Sequence, residues 1–365
     1  MLSPGNARRR SGRIGAWCLA LAVTVVAGLV IAPAALALGH YKRHNLVSDQ
    51  AGKADLKDPN LVNAWGLAFG PNTPAWVADN GTDVATLYAG DVNGSPVTKI
   101  PLTVSIPGGA PTGQVYNGSN DFVVHAGGNS APANFIFSSE AGKITAWSQS
   151  VPPATKARTV ASVKGAIFKG LAIAESGYGH QLYATDFHNG RVDVWDGSFN
   201  RVHRKGAFRD RKIPDSYAPF GIESVKDHII VTYAKQDADA EDDVPGAHRG
   251  FVDVFDTKGN LLRRFASHGP LNSPWGVAKA PKGFGAASHA LLIGNFGNGH
   301  INAYDPKSGD LMGPLKNKKG HKLAIDGLWA LKFGNGMIGS PKTLLFTAGP
   351  NDESHGLFGD ITTGG

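Results

Sequence analysis

A motif that recurs about every fifty residues constrains this chain more than any other feature. Six short segments carry an opening apolar strand with a central glycine: AWGLAF at Gly66, PTGQVY at Gly113, FKGLAI at Gly170, PFGIES at Gly221, PWGVAK at Gly276 and DGLWAL at Gly327. The steps between these glycines are 47, 57, 51, 55 and 51 residues. That spacing matches a four-stranded propeller blade. A nearly continuous apolar run follows each opening segment: AWVAD, FIFSS, LYATD, IIVTY, LLIGN and LLFTA. Runs of this kind suit strands covered on both faces.

A third strand starts after Gly81, Gly142, Gly190, Gly250, Gly299 and Gly356, three of which follow an Asn that favours a tight hairpin. Each third strand ends on a large residue: Tyr88, Trp147, Trp195, Phe255, Tyr304 or Ile361. These residues are expected to pack between blades. Fourth strands such as KARTVASV and NLLRRFA carry Lys and Arg, as edge strands do. The sixth unit reaches only its third strand. HNLVSD, His44 to Asp49, precedes the first unit and is the candidate for the missing strand. The expected fold is therefore all-β, a six-bladed β-propeller closed by pairing the N-terminal strand with the last blade. It forms a single domain over residues 38–365, and no feature calls for an oligomer.

Composition agrees with many short strands and tight turns. The 365 residues include 48 Gly and 22 Pro, and only 18% are charged. The formal charge of +7 is misleading. Arg8, Arg9, Arg10 and Arg13 lie in a first segment that holds no acid; without it the balance is 32 basic to 29 acidic groups. No basic run with interleaved aromatics is present, so a nucleic-acid partner is not expected. Residues 1–37 read as a secretory signal: a basic start, the apolar run WCLALAVTVVAGLVI, and Ala35-Leu36-Ala37 as a cleavage site. An uncleaved anchor is the alternative, because about 20 apolar residues span a bilayer. Cys18, the single cysteine, falls in this segment, so the exported chain has no thiol.

The chain resembles an uncharacterised family of exported bacterial propeller proteins, of the NHL-like six-bladed type. The resemblance is carried by NLVSDQAG, NAWGLAFGP, PTGQVYNG, DFVV, FVDVFDTKGN and FTAGPNDESHGLFGDI. It implies the propeller fold and a periplasmic, envelope or secreted location, and it implies no chemistry.

Chemistry is expected where six polar loops, each between a second and a third strand, meet at one end of the channel. Asp, Asn and Gly in those loops are also ordinary turn formers. The densest acidic run supplies Asp237, Asp239, Asp242 and Asp243, oxygen ligands suited to Ca²⁺ or another divalent metal. Its sixth position is Asp242, where an EF-hand requires Gly. Metal-dependent lactonases use carboxylate and Asn ligands around a propeller channel, and Glu223, Asn295 and Asp186 are the residues here that could imitate such a set. No HExxH, GxSxG, P-loop or dinucleotide fingerprint occurs. The expected function is a binding or scaffold protein whose partner is a protein or small molecule, with a metal-dependent hydrolase of the lactonase type as the alternative.

Overall fold

The computed structural model describes residues 39–364, and the segment read as a signal lies outside them. Among the described residues, six blade sheets are present, five of them four-stranded and antiparallel; the sixth carries a fifth strand, Leu56–Lys57, which runs parallel to Tyr41–Ser48. Their first strands are Ala64–Ala68, Pro111–Tyr116, Phe168–Ser176, Tyr217–Val225, Pro274–Lys279 and Leu328–Phe333. Each first strand lies against that of the next blade, and the sixth lies against the first. The contacts therefore close into a ring, and the chain is a six-bladed β-propeller.

Closure takes the expected form. Tyr41–Ser48 pairs antiparallel with Leu357–Thr363, the third strand of the sixth blade, and becomes its fourth. Tyr41, Leu46, Val47 and Ser48 are buried in that seam. The Tyr41 hydroxyl donates to the Phe284 carbonyl at 3.0 Å and accepts from the Ala287 N–H at 2.9 Å, tying the strand to the fifth blade as well.

The repeated glycine has a steric cause. All six first strands carry a bulge at this level, as between Pro219 and Ile222, and in five of them the glycine lies in it. The bulge pushes the backbone toward the next blade. A Cβ on Gly221 would stand 2.1 Å from the Trp275 carbonyl, and one on Gly66 2.3 Å from that of Thr112. In the sixth blade the bulge falls between Leu328 and Leu331, so the equivalent residue is Ala330 and not Gly327. Gly327 belongs to the preceding turn, at φ +62°.

Hydroxyls bolt blade to blade at the same level. Thr185 Oγ1 donates to the Phe220 carbonyl at 2.8 Å and accepts from the Gly170 N–H at 2.7 Å. Thr232 does the same between Gly221 and Pro274, and Thr347 between Ala330 and Trp65. In each case one side chain satisfies the N–H freed by a bulge and a carbonyl of the neighbouring sheet. The six large residues that end the third strands are all buried, as expected. Of the two long insertions, that of the second blade folds into a hairpin of Val123–Ala126 and Asn129–Pro132.

Candidate functional site

The residue just before the bulge position points at the axis in five blades, Trp65, Lys169, Phe220, Trp275 and Trp329, while Thr112 of the second donates to the Phe168 carbonyl of the next blade. Contacts between blades that are not neighbours show this. Trp65 of the first blade meets Trp275 of the fifth at 6.5 Å, and Phe220 of the fourth meets Trp329 of the sixth at 5.8 Å. Trp65 and Trp329 stack at 3.7 Å between ring centroids. Two loop residues extend the cluster, Phe296 stacked on Trp329 at 4.0 Å and Phe187 beside Phe220 at 5.2 Å. The channel is thus filled by aromatic side chains. The indole N–H groups of Trp65 and Trp275 are buried in this plug without an acceptor among the described residues, which leaves two donors for water or a ligand.

On the mouth side of the plug stands Lys169, 2% exposed. Its ammonium lies 5.3 Å from the centre of the Trp65 ring. It donates to Glu140 Oε1 at 2.5 Å and to Asp242 Oδ1 at 3.0 Å. Burial alone would lower the lysine pKa, but the two carboxylates overcome it and hold the group above its ordinary value. The network runs on around the rim. Asn80 donates to Glu140 Oε2 at 3.0 Å, Asn63 donates to Asn80 at 3.1 Å and to Glu353 Oε2 at 2.5 Å, and Trp329 Nε1 donates to Asn63 at 3.0 Å. Burial pushes Glu353 up to about 7 and Asp243 up to about 6. Asn80, Glu140, Asp242 and Glu353 all come from loops between second and third strands, the set expected to converge. Lys169 was not among the expected residues. The signal in sequence was a lysine at the one position of the repeat where Trp65, Phe220 and Trp275 stand in other blades.

The residues singled out as metal candidates do not gather. Asp242 reaches Lys169, and Asp243 turns inward beside it. Asp237 instead accepts from the Glu241 N–H of its own turn at 2.9 Å, and Asp239 is exposed. Asp186 is fully buried and spent on Arg191, at 2.8 Å, and on Asn189. Asn295 donates to the Pro270 carbonyl at 2.8 Å. Glu223 pairs in register with Ile230, toward the opposite end of its strand from the mouth. A lactonase-like set of Glu223, Asn295 and Asp186 is therefore split between the two ends of the channel, and the residues do not fit a shared metal. Among the described residues, the three donors close enough to hold one cation are elsewhere, at His44, Asp91 and Asp360, within 4.8 Å of one another. They lie at the seam of the closing strand. His44 already bridges Asp360 at 3.2 Å and Asp55 at 3.1 Å, so both of its ring nitrogens are engaged within the seam.

The buried acids set a pH dependence. Burial raises Asp253, Glu353 and Asp360 to about 7, with the charge of Asp91 adding at Asp360, and raises Asp243 to about 6. Acids raised in the folded state bind more protons there than in the unfolded chain. They stabilise the fold below the ordinary carboxylate range, and that stability is lost as pH rises through 6 to 7. His300, lowered by burial, opposes them in the same range. The four acids outweigh it, so the melting temperature is expected to be higher by about 5 °C near pH 5 than near pH 8. A melting temperature that is flat or rises over this range would contradict the assignment.

Fold and site together define a six-bladed β-propeller with a plugged channel and an ion-paired mouth. No protein-family model matches the chain. It is 31% identical over 337 residues to uncharacterized protein R648 of Acanthamoeba polyphaga mimivirus, covering 88% of this chain and 80% of the viral one. It is 32% identical over 312 residues to uncharacterized protein L690 of the same virus, covering 81% and 79%. The chain belongs to the family of these proteins. The relatives are viral, so they lend nothing to the bacterial and exported setting that the resemblance implied. Among solved structures, it is similar to a putative gluconolactonase (TM-score 0.52, 14% identity, 88% of this chain and 92% of that one). It is also similar to a catalytically inactive virginiamycin B lyase from Staphylococcus aureus with quinupristin (TM-score 0.50, 11% identity, 88% and 98%). At these identities the likeness concerns the fold alone.

Proposed function

We propose that the protein is an exported binding propeller whose channel mouth takes a cationic ligand, a small polyamine or the basic segment of a partner. The observation that carries this reading is the Lys169 ammonium. It stands sealed on the axis, already paired to Glu140 and Asp242, where a channel-bound metal would need those same carboxylates. Around it, acidic groups outnumber the cation: Glu140 and Asp242 face one lysine, Asp243 and Glu353 add charge as pH rises through about 6 and 7, and Asp237, Asp239 and Glu241 stand on the adjoining loop. Such a rim attracts positive charge. Export is supported by the basic and apolar character of residues 8–37. The lactonase alternative is supported by the likeness in fold, and the split of Glu223 from Asp186 and Asn295 counts against it.

Calorimetry on the purified chain separates the two. Spermidine or oligolysine is expected to bind saturably, more weakly at high salt, and about tenfold more weakly in Glu140→Gln combined with Glu353→Gln. Stoichiometric, tightly held Ca²⁺ or Zn²⁺, together with lactone hydrolysis that falls in Glu223→Gln, would overturn the reading.

A further inference from the structure

A cavity of about 820 Å³ lies between the third and fourth blades, radially outside the plug. Its lining runs along the blades, from the His188–Arg191 turn, Tyr217 and Gln236 at the mouth end to Arg204 and Phe208, which donate to the Thr257 and Gly259 carbonyls at the other end. Its size is that of a small-molecule site. Its character is opposite to that of the mouth: Arg191, Arg201, Arg204 and Arg209 line it, with His188 and His203.

The charges divide into two groups. Arg191 and Arg201 are held by Asp193, which is 4% exposed, and Arg191 also by Asp186. Asp210 is held by Arg264. These pairs are balanced and build a rigid wall. Among the described residues Arg204 bonds only neutral acceptors, Gln181 Oε1 at 2.9 Å and the Thr257 carbonyl at 3.1 Å, and its guanidinium lies 5.6 Å from the centre of the Tyr178 ring. Arg209 is exposed and makes no ion pair among the described residues. Against these two guanidinium groups stands one unpaired acid in the lining, Asp215. Phe208, Ile213 and Tyr217 supply an apolar side.

We infer that this cleft is a binding site for a small organic anion, a carboxylate or phosphate ester carrying an apolar group. Arg204 and Arg209 take its oxygens, since a planar guanidinium grips such groups through paired N–H donors. The balanced pairs of the wall hold the cleft open, its excess positive charge comes from Arg204 and Arg209, and the apolar body rests on Phe208 and Tyr217. The site is separate from the mouth in charge and in residues, so it stands or falls apart from the cation-binding reading.

Phenyl phosphate and phenylacetate are the probes, with benzyl alcohol as the uncharged control, in calorimetry on the full chain. Saturable binding of at least one anion is expected, none of the alcohol, and a dissociation constant raised about tenfold or more in Arg204→Ala combined with Arg209→Ala. Arg209→Ala alone removes an exposed side chain without disturbing the wall, and it is expected to weaken binding in the same direction. Lys282→Ala, an exposed lysine of a distant loop, is expected to leave binding unchanged. Circular dichroism checks that each variant is folded. Absence of saturable binding by either anion, or binding equally strong in the folded double variant, would overturn the assignment.

Discussion

A chain lacking residues 41–48 is expected to lose its cooperative unfolding transition altogether. The strand Tyr41–Ser48 supplies the fourth strand of the sixth blade and joins the two ends of the ring. Its loss uncovers Leu357–Thr363, whose residues from Leu357 to Ile361 are all buried. It also removes Tyr41, Leu46 and Val47 from the interior, at about 1.5–3 kcal/mol for each large apolar side chain. The lost backbone pairings come on top, against a typical total stability of about 5–15 kcal/mol. Because each blade is packed on two neighbours, one open seam weakens both adjoining blades. Urea titration followed by tryptophan fluorescence reads the result, since Trp65, Trp275 and Trp329 report from the axis. A synthetic peptide covering residues 39–50 is expected to restore part of the transition when added to the truncated chain. A truncated protein that unfolds at the same urea concentration as the full chain would show that the seam is not what holds the ring.

The second large effect is expected at Lys169. Replacing it by Met keeps the length of the side chain and removes the charge. Glu140 and Asp242 then face each other, with Glu353 close by, and no cation between them. Removing one partner of a buried ion pair costs about 3–5 kcal/mol. The figure applies in reduced form here, because Asp242 is 75% exposed and can turn to solvent. The pH profile identifies the cause. With the cation gone, Glu353 loses a charge that holds its carboxyl down against burial, so the variant is expected to recover stability toward about pH 5 more steeply than the parent. Lys169→Met with Glu140→Gln is expected to be more stable near neutral pH than Lys169→Met alone. If the two substitutions simply add, the coupling between lysine and glutamate is absent.

The ring, the number of blades and the seam could be read from the chain because they rest on local periodicity. A continuous apolar run such as LYATD or LLIGN has few places to go except between two neighbours. A glycine at a fixed place in each opening strand marks a backbone that must pass close to the next one. The register of the sixth unit was misplaced, because Ala330 fills the glycine position there and Gly327 offered a nearer match. Threonines at one place in LYATD, IIVTY and LLFTA were visible as a repeat, but their two-sided bonding was not. It depends on a bulge in one strand and a carbonyl in a different blade.

The site divides in the same way. The loops that meet at the mouth follow from topology, so Asn80, Glu140 and Asp242 stood in segments already marked. Which of their side chains meet was not legible: Lys169 and Glu140 are 29 positions apart, and Lys169 and Asp242 are 73 apart. Asp186 and Asn295 resemble ligands in sequence, yet each is used to hold its own turn. The anion cleft leaves still less trace, since its arginines are scattered between Arg191 and Arg209 among residues that read as edge strand and loop.

By itself, the amino-acid order determined a ring of six sheets and the end at which their polar loops collect, because strand burial and turn geometry act between residues close in sequence. Only the tertiary structure decided that a lysine caps an aromatic plug, that the lactonase-like trio is split, and that a cationic cleft opens between two blades. Those outcomes depend on distances between side chains on different sheets, set by bulges and blade packing that no single segment encodes.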